Sequence, residues 1–540
     1  MTTSLGFPRE EHDPYGGKRL RDEVHLDVYL SRLEMKVVNH PDFQRLDGLK
    51  QLGTAYLLYR NAKHTRFDHA IGTVAAAQQL MDLVNAKARS DEERIPQEAQ
   101  VVARMCALLH DIAHLPFGHS LEAEANVIKA AHDSPDRLKS KIGEGTGIGN
   151  ILGQEMRESI IATLTATDQE LPRLKYSYIA DIVSNTICAD LLDYTQRDLR
   201  NTGLLYTFDP RFLSYFVLTR DKKGHKRMAI RLWRRKPRGV RQEVVTDIIA
   251  LLRLRSTLAE KVYYHPNKML TSAMISRAVY AAGMKEEQLM GFTDDRLLNQ
   301  LADKKKTKDE LANKLAQRLI DRQLYKAIYW VSKVGEDELD SRWVRQKQLA
   351  KEYHESTNSP ENRARAEARL ERMADLEPGS SIIYCPDLRM QLKPARVLVE
   401  LPDEPALPLE EVTSRGIRDA VEQVQGQHKK LWKFYVFVEN DDNRYWSDEG
   451  VTEKAEWINS ACVELFAPWN DNTLFTPVGP TPYQRWVTKV CEEEKALDKL
   501  PALLSSDSKL QDDRFWDDPR GRIKVQLQGL PPKEEPRKLL

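Results

Sequence analysis

Residues 108–122 read LLHDIAHLPFGHSLE, a short stretch that contains three histidines and two carboxylates. His110 and Asp111 are adjacent, and His114 follows His110 by four residues, about one turn of a helix. Apolar residues recur at helical spacing before them, which predicts a helix over 97–114. His110 and His114 then share a face and address one cavity. Neutral imidazole is the commonest metal ligand and also a general acid or base near pH 7.

Histidines are concentrated around this stretch. Of the 13 in the chain, five lie within 56 residues, where an even spread would put about one. These five are His64, His69, His110, His114 and His119. A further donor is expected from Asp190, which continues the apolar stripe of a second predicted helix over 178–200. A lone carboxylate in such a stripe is costly unless it is paired or metal-bound.

His69, His110, Asp111 and Asp190 together make a mixed nitrogen and oxygen donor set with room for water. Such a set suits a divalent transition metal, Mg²⁺ or Mn²⁺, acting on a phosphate ester as Lewis acid and water activator. The alternative is that each histidine is an ordinary core or surface residue. That alternative would prevail for one histidine, but four groups in this arrangement favour a metal site.

The composition excludes several classes of protein. The 540 residues include 82 Lys+Arg and 81 Asp+Glu, which gives a net charge of +1. This value excludes a protein that binds nucleic acid through a large overall positive charge. No apolar run of about 18 residues is present, so we expect no transmembrane helix and no membrane partner. We also expect no secretory signal. Five scattered cysteines without a C-x-x-C pair favour a location in the reducing cytoplasm. The same pattern argues against a disulfide scaffold and against a zinc-thiolate site.

The pattern along the chain predicts three regions: a helical core over 1–335, a charged helical linker over 336–380, and an α+β region over 381–540. Short strands are expected within 206–233, and a polar, glycine-rich flexible loop over 133–154. Further helices are predicted over 243–282, 294–334 and 344–376.

Five ordered segments between residues 21 and 326 resemble a known family. They are NHPDFQRLDGLKQLG (39–53), KHTRFDHAIG (63–72), LLHDIAHLPFGHSLE (108–122), ADLLDYTQRD (189–198) and LRSTLAEKVYYHPNK (254–268). These segments are similar to the HD-domain superfamily, and within it to the dNTP triphosphohydrolases. The resemblance implies a mainly α fold, namely a helical HD-domain phosphohydrolase core with a small α+β C-terminal unit.

The implied reaction is metal-dependent hydrolysis of a dNTP to a deoxynucleoside and triphosphate, in dNTP pool control or phage defence. By resemblance, the metal is Mg, Mn, Fe, Co or Zn, and its ligands are His69, His110, Asp111 and Asp190. The matched catalytic residues are His119, which protonates the leaving 5′-oxygen, His114 beside the phosphates, and Glu122, which orients His119. The matched substrate-binding residues are Arg66 and Arg255 for phosphate, Gln51 and Asp198 for the 3′-hydroxyl, and Tyr194 and Tyr263 against the sugar.

The sequence departs from the family pattern at three positions. Gln154 stands before Glu155 where many members carry a catalytic histidine, and a glutamine cannot shuttle a proton. Leu191 replaces a phosphate-binding lysine, which removes one triphosphate contact. Asp47 replaces an arginine of the guanine-sensing activator site, so an altered nucleotide activator, or none, is expected.

Some alternatives stay open at this stage. Residues 222–241 carry ten Lys or Arg and no acidic residue, which fits either a patch for phosphates or nucleic acid, or a solvated hairpin. We expect a homo-oligomer, because family members associate. The alternative functions are an HD phosphohydrolase for another nucleotide or nucleic acid phosphoester, and a nucleotide-binding regulator with a weakened site.

Overall fold

The computed structural model describes residues 16–530, except 168, 236–237, 389–396, 403, 413–414, 442–444, 448–449, 476–478 and 506–512. Residues 1–15 and 531–540 of the first and last predicted regions therefore lie outside the described residues. So do residues 236–237 of the basic segment. None of the described helices is long and apolar enough to cross a membrane.

The described residues begin with a β-hairpin that leads into a group of helices. The hairpin strands are β1 (Lys18–Asp22) and β2 (Leu26–Leu30). The helices that follow are α1 (Arg32–Val38), α2 (Pro41–Gln44), α3 (Arg66–Lys87), α4 (Gln97–Leu109), α5 (Pro135–Ile142), α6 (Gly147–Leu152), α7 (Gln154–Thr165), α8 (Tyr178–Ser184) and α9 (Ala189–Thr202).

Two hairpins and a second set of helices follow. The hairpin strands are β3 (Phe216–Arg220), β4 (Lys226–Arg231), β5 (Trp233–Arg235) and β6 (Arg238–Val240). The helices are α10 (Gln242–Leu258), α11 (Pro266–Ala281), α12 (Glu286–Leu289), α13 (Asp294–Ala302) and α14 (Glu310–Asp321). A single π-helical turn, Ala259–Tyr263, extends α10.

The remaining elements are a mixture of helices and strands. The strands are β7 (Lys326–Ser332), β8 (Ser381–Tyr384), β9 (Leu398–Glu400), β10 (Leu407–Pro408), β11 (Lys433–Val438), β12 (Trp446–Ser447) and β13 (Gly450–Val451). The helices are α15 (Ser341–Ala350), α16 (Ser359–Met373), α17 (Arg415–Lys429), α18 (Glu453–Leu465), α19 (Pro482–Glu493), α20 (Leu500–Leu504) and α21 (Pro519–Gly529). The predicted mainly α class is confirmed.

The helix α3 is the centre of the first core, where it packs against α4 and α9. Its N-terminus is fixed by a capping box, in which Thr65 accepts from the Asp68 backbone amide and Asp68 accepts from that of Thr65. Gly72 allows the close approach of α9, because a Cβ at this position would overlap Asp193 Oδ1 and Arg197 Nη2. The start of α3 is therefore held at a defined distance from α9.

Two small sheets join distant parts of the chain. One has the strand order β10-β9-β4-β3, with β9 parallel to β4, and the other has the order β7-β11-β8. Val421 and Val424 of α17 are buried in the same core as α3 and α10. Buried side chains between Val397 and Val424 thus pack in the core of the N-terminal helices, while the division of the chain at 335 and 380 stays a prediction.

Three expectations about local structure need correction, and one element was missed. The region over 294–334 is two helices followed by β7, not one helical stretch. The predicted helix over 178–200 is interrupted at 185–188, so Asp190 lies in the first turn of α9 rather than in a continuous stripe. The predicted flexible loop over 133–154 instead forms α5 and α6. The hairpin β1–β2 was not predicted.

We expect Gly72→Ala to destabilise the protein, although alanine is the better helix former by about 1 kcal/mol. The added methyl group would displace the Asp193–Arg197 pair, and overpacking of this kind costs about 1–3 kcal/mol. The matched control is Gly426→Ala, in the helix α17, where a Cβ meets no atom within 4 Å. The midpoint of thermal unfolding should fall for Gly72→Ala and not for Gly426→Ala. An unchanged midpoint for Gly72→Ala would contradict the close packing.

A second prediction concerns acid stability. His428 of α17 is buried, and burial together with Arg255 lowers its pKa to about 4. The unfolded chain has the ordinary value of about 6.5, so between pH 6.5 and 4 it binds a proton that the folded protein does not. Folded stability therefore falls over this range, by at most about 3 kcal/mol from this group. His428→Gln should lose less thermal stability between pH 7 and pH 5 than the wild type or His225→Gln, and equal losses would contradict the prediction.

Candidate metal centre and active site

The four predicted metal ligands come from three elements. His69 lies one turn into α3, His110 and Asp111 follow the end of α4, and Asp190 is the second residue of α9. His69 and Asp111 are buried, whereas the Asp190 side chain is 35% exposed, because it faces the site from the helix terminus. The three elements meet where α3 and α9 approach most closely.

The donor atoms of these residues converge. His69 Nε2 lies 3.2 Å from His110 Nε2, 3.0 Å from Asp190 Oδ1 and 3.9 Å from Asp111 Oδ2. His110 Nε2 lies 3.5 Å from Asp111 Oδ1. Two imidazole nitrogens and two carboxylates within this distance suit a divalent cation. The His and Asp groups could therefore hold a metal ion.

Hydrogen bonds to the other ring nitrogens orient both histidine ligands. His110 Nδ1 lies 2.8 Å from the Ala107 carbonyl oxygen, which can only accept, so Nδ1 carries the proton and Nε2 presents a lone pair. His69 Nδ1 lies 2.7 Å from Asp193 Oδ2, which leaves its Nε2 toward the centre. Such outer contacts fix ring orientation in metal sites. The residues present thus fit a metal.

Asp193 connects His69 to a buried charge network that sequence reasoning missed. The Asp193 carboxylate receives two hydrogen bonds from Arg197 and lies 2.8 Å from His25 Nε2 of the β1–β2 hairpin. Arg197 also pairs with Asp22 at 2.9 Å. Arg197 and Asp193 are both fully buried. Their i, i+4 spacing on a predicted helix was the signal that could have revealed the pair.

Arg66 contacts the centre directly. Its Nη1 donates to Asp111 Oδ2 at 2.6 Å, and the side chain is buried. Burial alone would raise the pKa of Asp111, but His110, Arg66 and His114 hold that pKa well below its usual range. Asp111 is therefore a carboxylate at neutral pH. Arg66 is predicted to bind phosphate, but one nitrogen of its guanidinium group already donates to this carboxylate.

A group of three histidines lies beside the metal ligands. His114 Nε2 is 3.2 Å from Asp111 Oδ1, and its Nδ1 is buried with no hydrogen-bond partner among the described residues. The ring of His132 stacks on that of His114, with centroids 3.7 Å apart, and lies edge-on to His119 at 5.3 Å. His132 was not predicted, because it follows α4 in an irregular segment with no periodic signal.

Glu122 lies beside both His132 and His119, and one ligand atom from each of the three residues falls within 4.8 Å of the others. Its Oε2 lies 3.6 Å from His132 Nδ1, and its Oε1 accepts from the buried Arg137 of α5. No hydrogen bond joins Glu122 to His119 among the described residues, and the orienting role of Glu122 stays a prediction. Burial raises the pKa of Glu122, but His132 and Arg137 outweigh this and lower it. His119 projects toward solvent at the edge of the group.

Three of the four residues predicted to hold the sugar, Gln51, Asp198 and Tyr263, belong to one hydrogen-bonded group. Tyr263 donates from its hydroxyl to Asp198 Oδ2 at 2.6 Å, and His64 Nε2 lies 2.7 Å from Asp198 Oδ1. The Gln51 backbone amide donates to the His64 carbonyl, while its side-chain Oε1 is buried with no partner among the described residues. His64 was not assigned a role from sequence. The free Gln51 oxygen is an acceptor for a ligand hydroxyl.

Arg255 and Tyr194 lie between this group and the metal ligands. Burial lowers the pKa of Arg255, but the neighbouring Tyr194 and Tyr263 outweigh this and raise it. Asp190 lies close enough to contribute to the same effect. The Tyr194 ring centroid is 6.4 Å from that of His69. Arg255, Tyr194 and Asp190 are each half-buried.

The backbone turn that carries His114 is held by two residues that are distant in the sequence, Arg45 and Asp294. Phe117 adopts a left-handed conformation with φ of 57°, which is uncommon for a side chain of this size. Its amide donates to the buried Asp294 at 2.7 Å. Arg45 Nη2 donates to the carbonyls of Ile112 and His114. These contacts keep the turn in a strained but defined shape.

The three departures from the family pattern are located as follows. Gln154 begins α7, is exposed, and donates to Glu158 at 2.9 Å. Leu191 is a buried residue of α9 and offers no charge. Asp47 is exposed in a short turn after α2. Gln154 is therefore not paired with any of the predicted catalytic residues among the described contacts.

Several positive side chains of the basic segment 222–241 are paired with acidic residues of the same chain. Four of its cations form ion pairs with acidic residues among the described part of the chain. These pairs are Lys222–Glu411, Lys226–Glu92, Arg227–Asp181 and Arg231–Glu400. The pairing favours the solvated hairpin over an open patch for nucleic acid.

Comparison with known proteins agrees with this geometry. Residues 66–198 match the family model for the HD domain, and residues 241–444 match that for the HD associated region. An uncharacterized protein of Methanocaldococcus jannaschii is 32% identical over 264 residues, which are 48% of this chain and 49% of the relative.

Deoxynucleoside triphosphate triphosphohydrolases are also similar to this chain. The human enzyme SAMHD1 is 24% identical over 313 residues, 52% of this chain and 48% of the relative. The Gallus gallus enzyme of that name is 26% identical over 292 residues, 49% of this chain and 45% of the relative. The chain spans about half the length of the curated relatives it matches. The chain therefore contains an HD domain over residues 66–198 and is similar, over about half its length, to deoxynucleoside triphosphate triphosphohydrolases.

Proposed function

We propose that the protein is a metal-dependent phosphohydrolase that cleaves dNTPs to deoxynucleoside and triphosphate. The observation that carries the proposal is the position of two groups on α9. Asp190 of the metal centre and Asp198 of the sugar-binding group lie eight residues apart on this helix, with Tyr194 between them. One helix face therefore aligns the α-phosphate and the deoxyribose of a single ligand.

Each group has a defined task in this proposal. Gln51 and Asp198 bind the 3′-hydroxyl, while Tyr194 and Tyr263 pack against the sugar where a 2′-hydroxyl would clash. Arg66 and Arg255 bind phosphate oxygens through their guanidinium forks. His114, His119 and Glu122 lie on the phosphate side of the centre.

The ligands of the metal are His69, His110, Asp111 and Asp190. A bound divalent cation supplies Lewis acidity to the phosphate and lowers the pKa of a coordinated water. The chain contributes two carboxylates and two oriented imidazoles, and Arg66 offsets part of the negative charge at Asp111.

Two observations favour a second function, the hydrolysis of another nucleotide or of a nucleic acid phosphoester. Leu191 provides no cation, and Arg66 is already paired with Asp111, so fewer positive groups face a triphosphate than the resemblance implies. A monophosphate or another phosphoester requires fewer positive groups in its binding site than a triphosphate does. The third function, a regulator with a weakened site, is disfavoured by the complete donor set. A nucleotide activator and a homo-oligomer remain predictions, as do a cytoplasmic location and a role in dNTP pool control or phage defence.

We expect the purified protein to contain a divalent metal, at about one ion per chain for a single site. Asp111→Ala and His110→Ala should lose it, because each removes a donor and Asp111→Ala also leaves Arg66 without its carboxylate. His225→Ala, in the turn between β3 and β4, is the matched control and should keep the metal. Elemental analysis by inductively coupled plasma mass spectrometry measures all four proteins. Full metal content in Asp111→Ala would exclude the proposed ligand set.

The activity is tested by incubating the protein with each dNTP, singly and mixed, with Mg²⁺, Mn²⁺ or Co²⁺. We expect deoxynucleoside and inorganic tripolyphosphate in equal amounts by chromatography, and no turnover by Asp111→Ala. Turnover only in mixtures would indicate an activating nucleotide. Release of pyrophosphate or single phosphate without tripolyphosphate would favour the second function instead.

A further inference from the structure

The helix α13 supplies a buried carboxylate that contacts two separate segments of the candidate site. Asp294 is the first residue of α13 and is fully buried. Its Oδ1 accepts a hydrogen bond from the Phe117 amide at 2.7 Å, and its Oδ2 accepts one from the Lys50 amide at 2.8 Å. Each oxygen is therefore used by a different segment, and one side chain holds both segments.

The Lys50 amide belongs to the segment that carries the sugar-binding end of the site. Residues 49–51 pair with residues 64–66 through two backbone hydrogen bonds, of 2.8 and 3.0 Å. The buried Gln51 Oε1 has no hydrogen-bond partner among the described residues, and in the proposed function it accepts from the 3′-hydroxyl. Because Gln51 directly follows Lys50, a shift at Lys50 would move this acceptor.

The Phe117 amide belongs to the turn that carries the histidines on the phosphate side. His114 lies three residues before Phe117, and His119 lies two residues after it. Phe117 and Gly118 both have left-handed backbones, with φ of 57° and 44°. A phenylalanine persists in this conformation only where its surroundings hold it. The hydrogen bond to Asp294 is such a contact, so it helps to set where the turn lies.

The two segments also pass close to each other beside Asp294. A Cβ at Gly53 would lie 3.2 Å from the Phe117 carbonyl oxygen, which is closer than an ordinary van der Waals contact. Lys50 Nζ lies 4.0 Å from Asp294 Oδ2 and offsets part of its charge. Burial raises the pKa of Asp294 to about 6, and the two amides and Lys50 oppose this rise, so the group is a carboxylate at pH 8.

We propose that Asp294 is a positioning residue, whose two oxygens set the distance between the 3′-hydroxyl acceptor at Gln51 and the histidine turn over 114–119. The inference rests on the proposed dNTP hydrolysis. One substrate molecule spans this distance, because its sugar binds at the first segment and its phosphates bind beside the second. Asp294 acts through the Lys50 and Phe117 amides and does not itself touch the substrate. Loss of either contact lets the segments shift, so a ligand anchored by its phosphates loses the 3′-hydroxyl contact.

The test uses Asp294→Asn, which keeps the shape of the side chain but replaces one acceptor oxygen by an NH2 group. Whichever way this amide is oriented, either Lys50 or Phe117 loses its acceptor. The values of kcat and KM are measured at pH 8, in the full-length, metal-loaded protein, for a dNTP and for the matching 2′,3′-dideoxynucleoside triphosphate. The dideoxy compound lacks the 3′-hydroxyl, so the wild type should favour the dNTP.

We expect the ratio of the two kcat/KM values to fall about tenfold in Asp294→Asn, with the metal content unchanged. The fall should arise mainly from a higher KM for the dNTP, since the dideoxy compound has no 3′-hydroxyl contact to lose. A purely structural role would lower the activity on both substrates alike. Because the ratio is taken within one preparation, a partial loss of folded protein cancels.

Asp295→Asn is the matched control. Asp295 is the next residue, its side chain is 77% exposed, and it bonds Lys50 Nζ at 3.0 Å, so the control should keep the wild-type ratio. If Asp294→Asn is insoluble, Gly53→Ala takes its place, because the added Cβ presses on the Phe117 carbonyl and changes the same distance. The ratio should fall in this variant too.

The outcomes are separable. An unchanged ratio in the soluble variant, or an equal fall in Asp295→Asn, would overturn the role of Asp294. Equal use of both substrates by the wild type would overturn the 3′-hydroxyl contact and the proposal with it. Failure of the proposed function would be visible in the wild type alone, as an absence of tripolyphosphate from every dNTP, and would refute both proposals.

Discussion

The contact between His69 Nδ1 and the Asp193 carboxylate is the interaction on which the rest of the site depends. Asp193 is fully buried, and removing a carboxylate from water costs several kcal/mol unless partners compensate. Its partners are His69 from α3, Arg197 from α9 and His25 from the N-terminal hairpin. The charge is satisfied only when all three elements are assembled, so the network links the fold to the metal centre.

This arrangement determines the centre before any ion binds. With Nδ1 engaged, His69 can offer only Nε2, and the Ala107 carbonyl imposes the same choice on His110. Gly72 permits the helix approach that brings Asp190 within 3.0 Å of His69. Ligands that are already oriented lose less conformational freedom on binding. The metal centre is therefore a consequence of how α3 and α9 pack.

Local patterns allowed much of the site to be predicted from sequence. His110, Asp111 and His114 were found because their spacing is set within one turn, and all four predicted ligands converge in the structure. The strand β7 was mistaken for helix, because its apolar residues run consecutively and such a run has no distinguishing period. The break before α9 was also missed, although Asp190 still reached the centre from the new helix terminus. Contacts that span the chain, such as Asp294 with Phe117, leave no local pattern to read.

His132 shows why a position in an alignment is a weaker guide than a position in space. The stacking distance to His114 and the contact with Glu122 define its surroundings, and neither depends on the number of residues that precede it. Arg137 of α5 bonds both Glu122 and Glu286, so the helix α12, which lies outside the residues matched to the HD domain, helps to fix this segment. The surroundings of the candidate site are therefore built partly by elements far from it in the sequence.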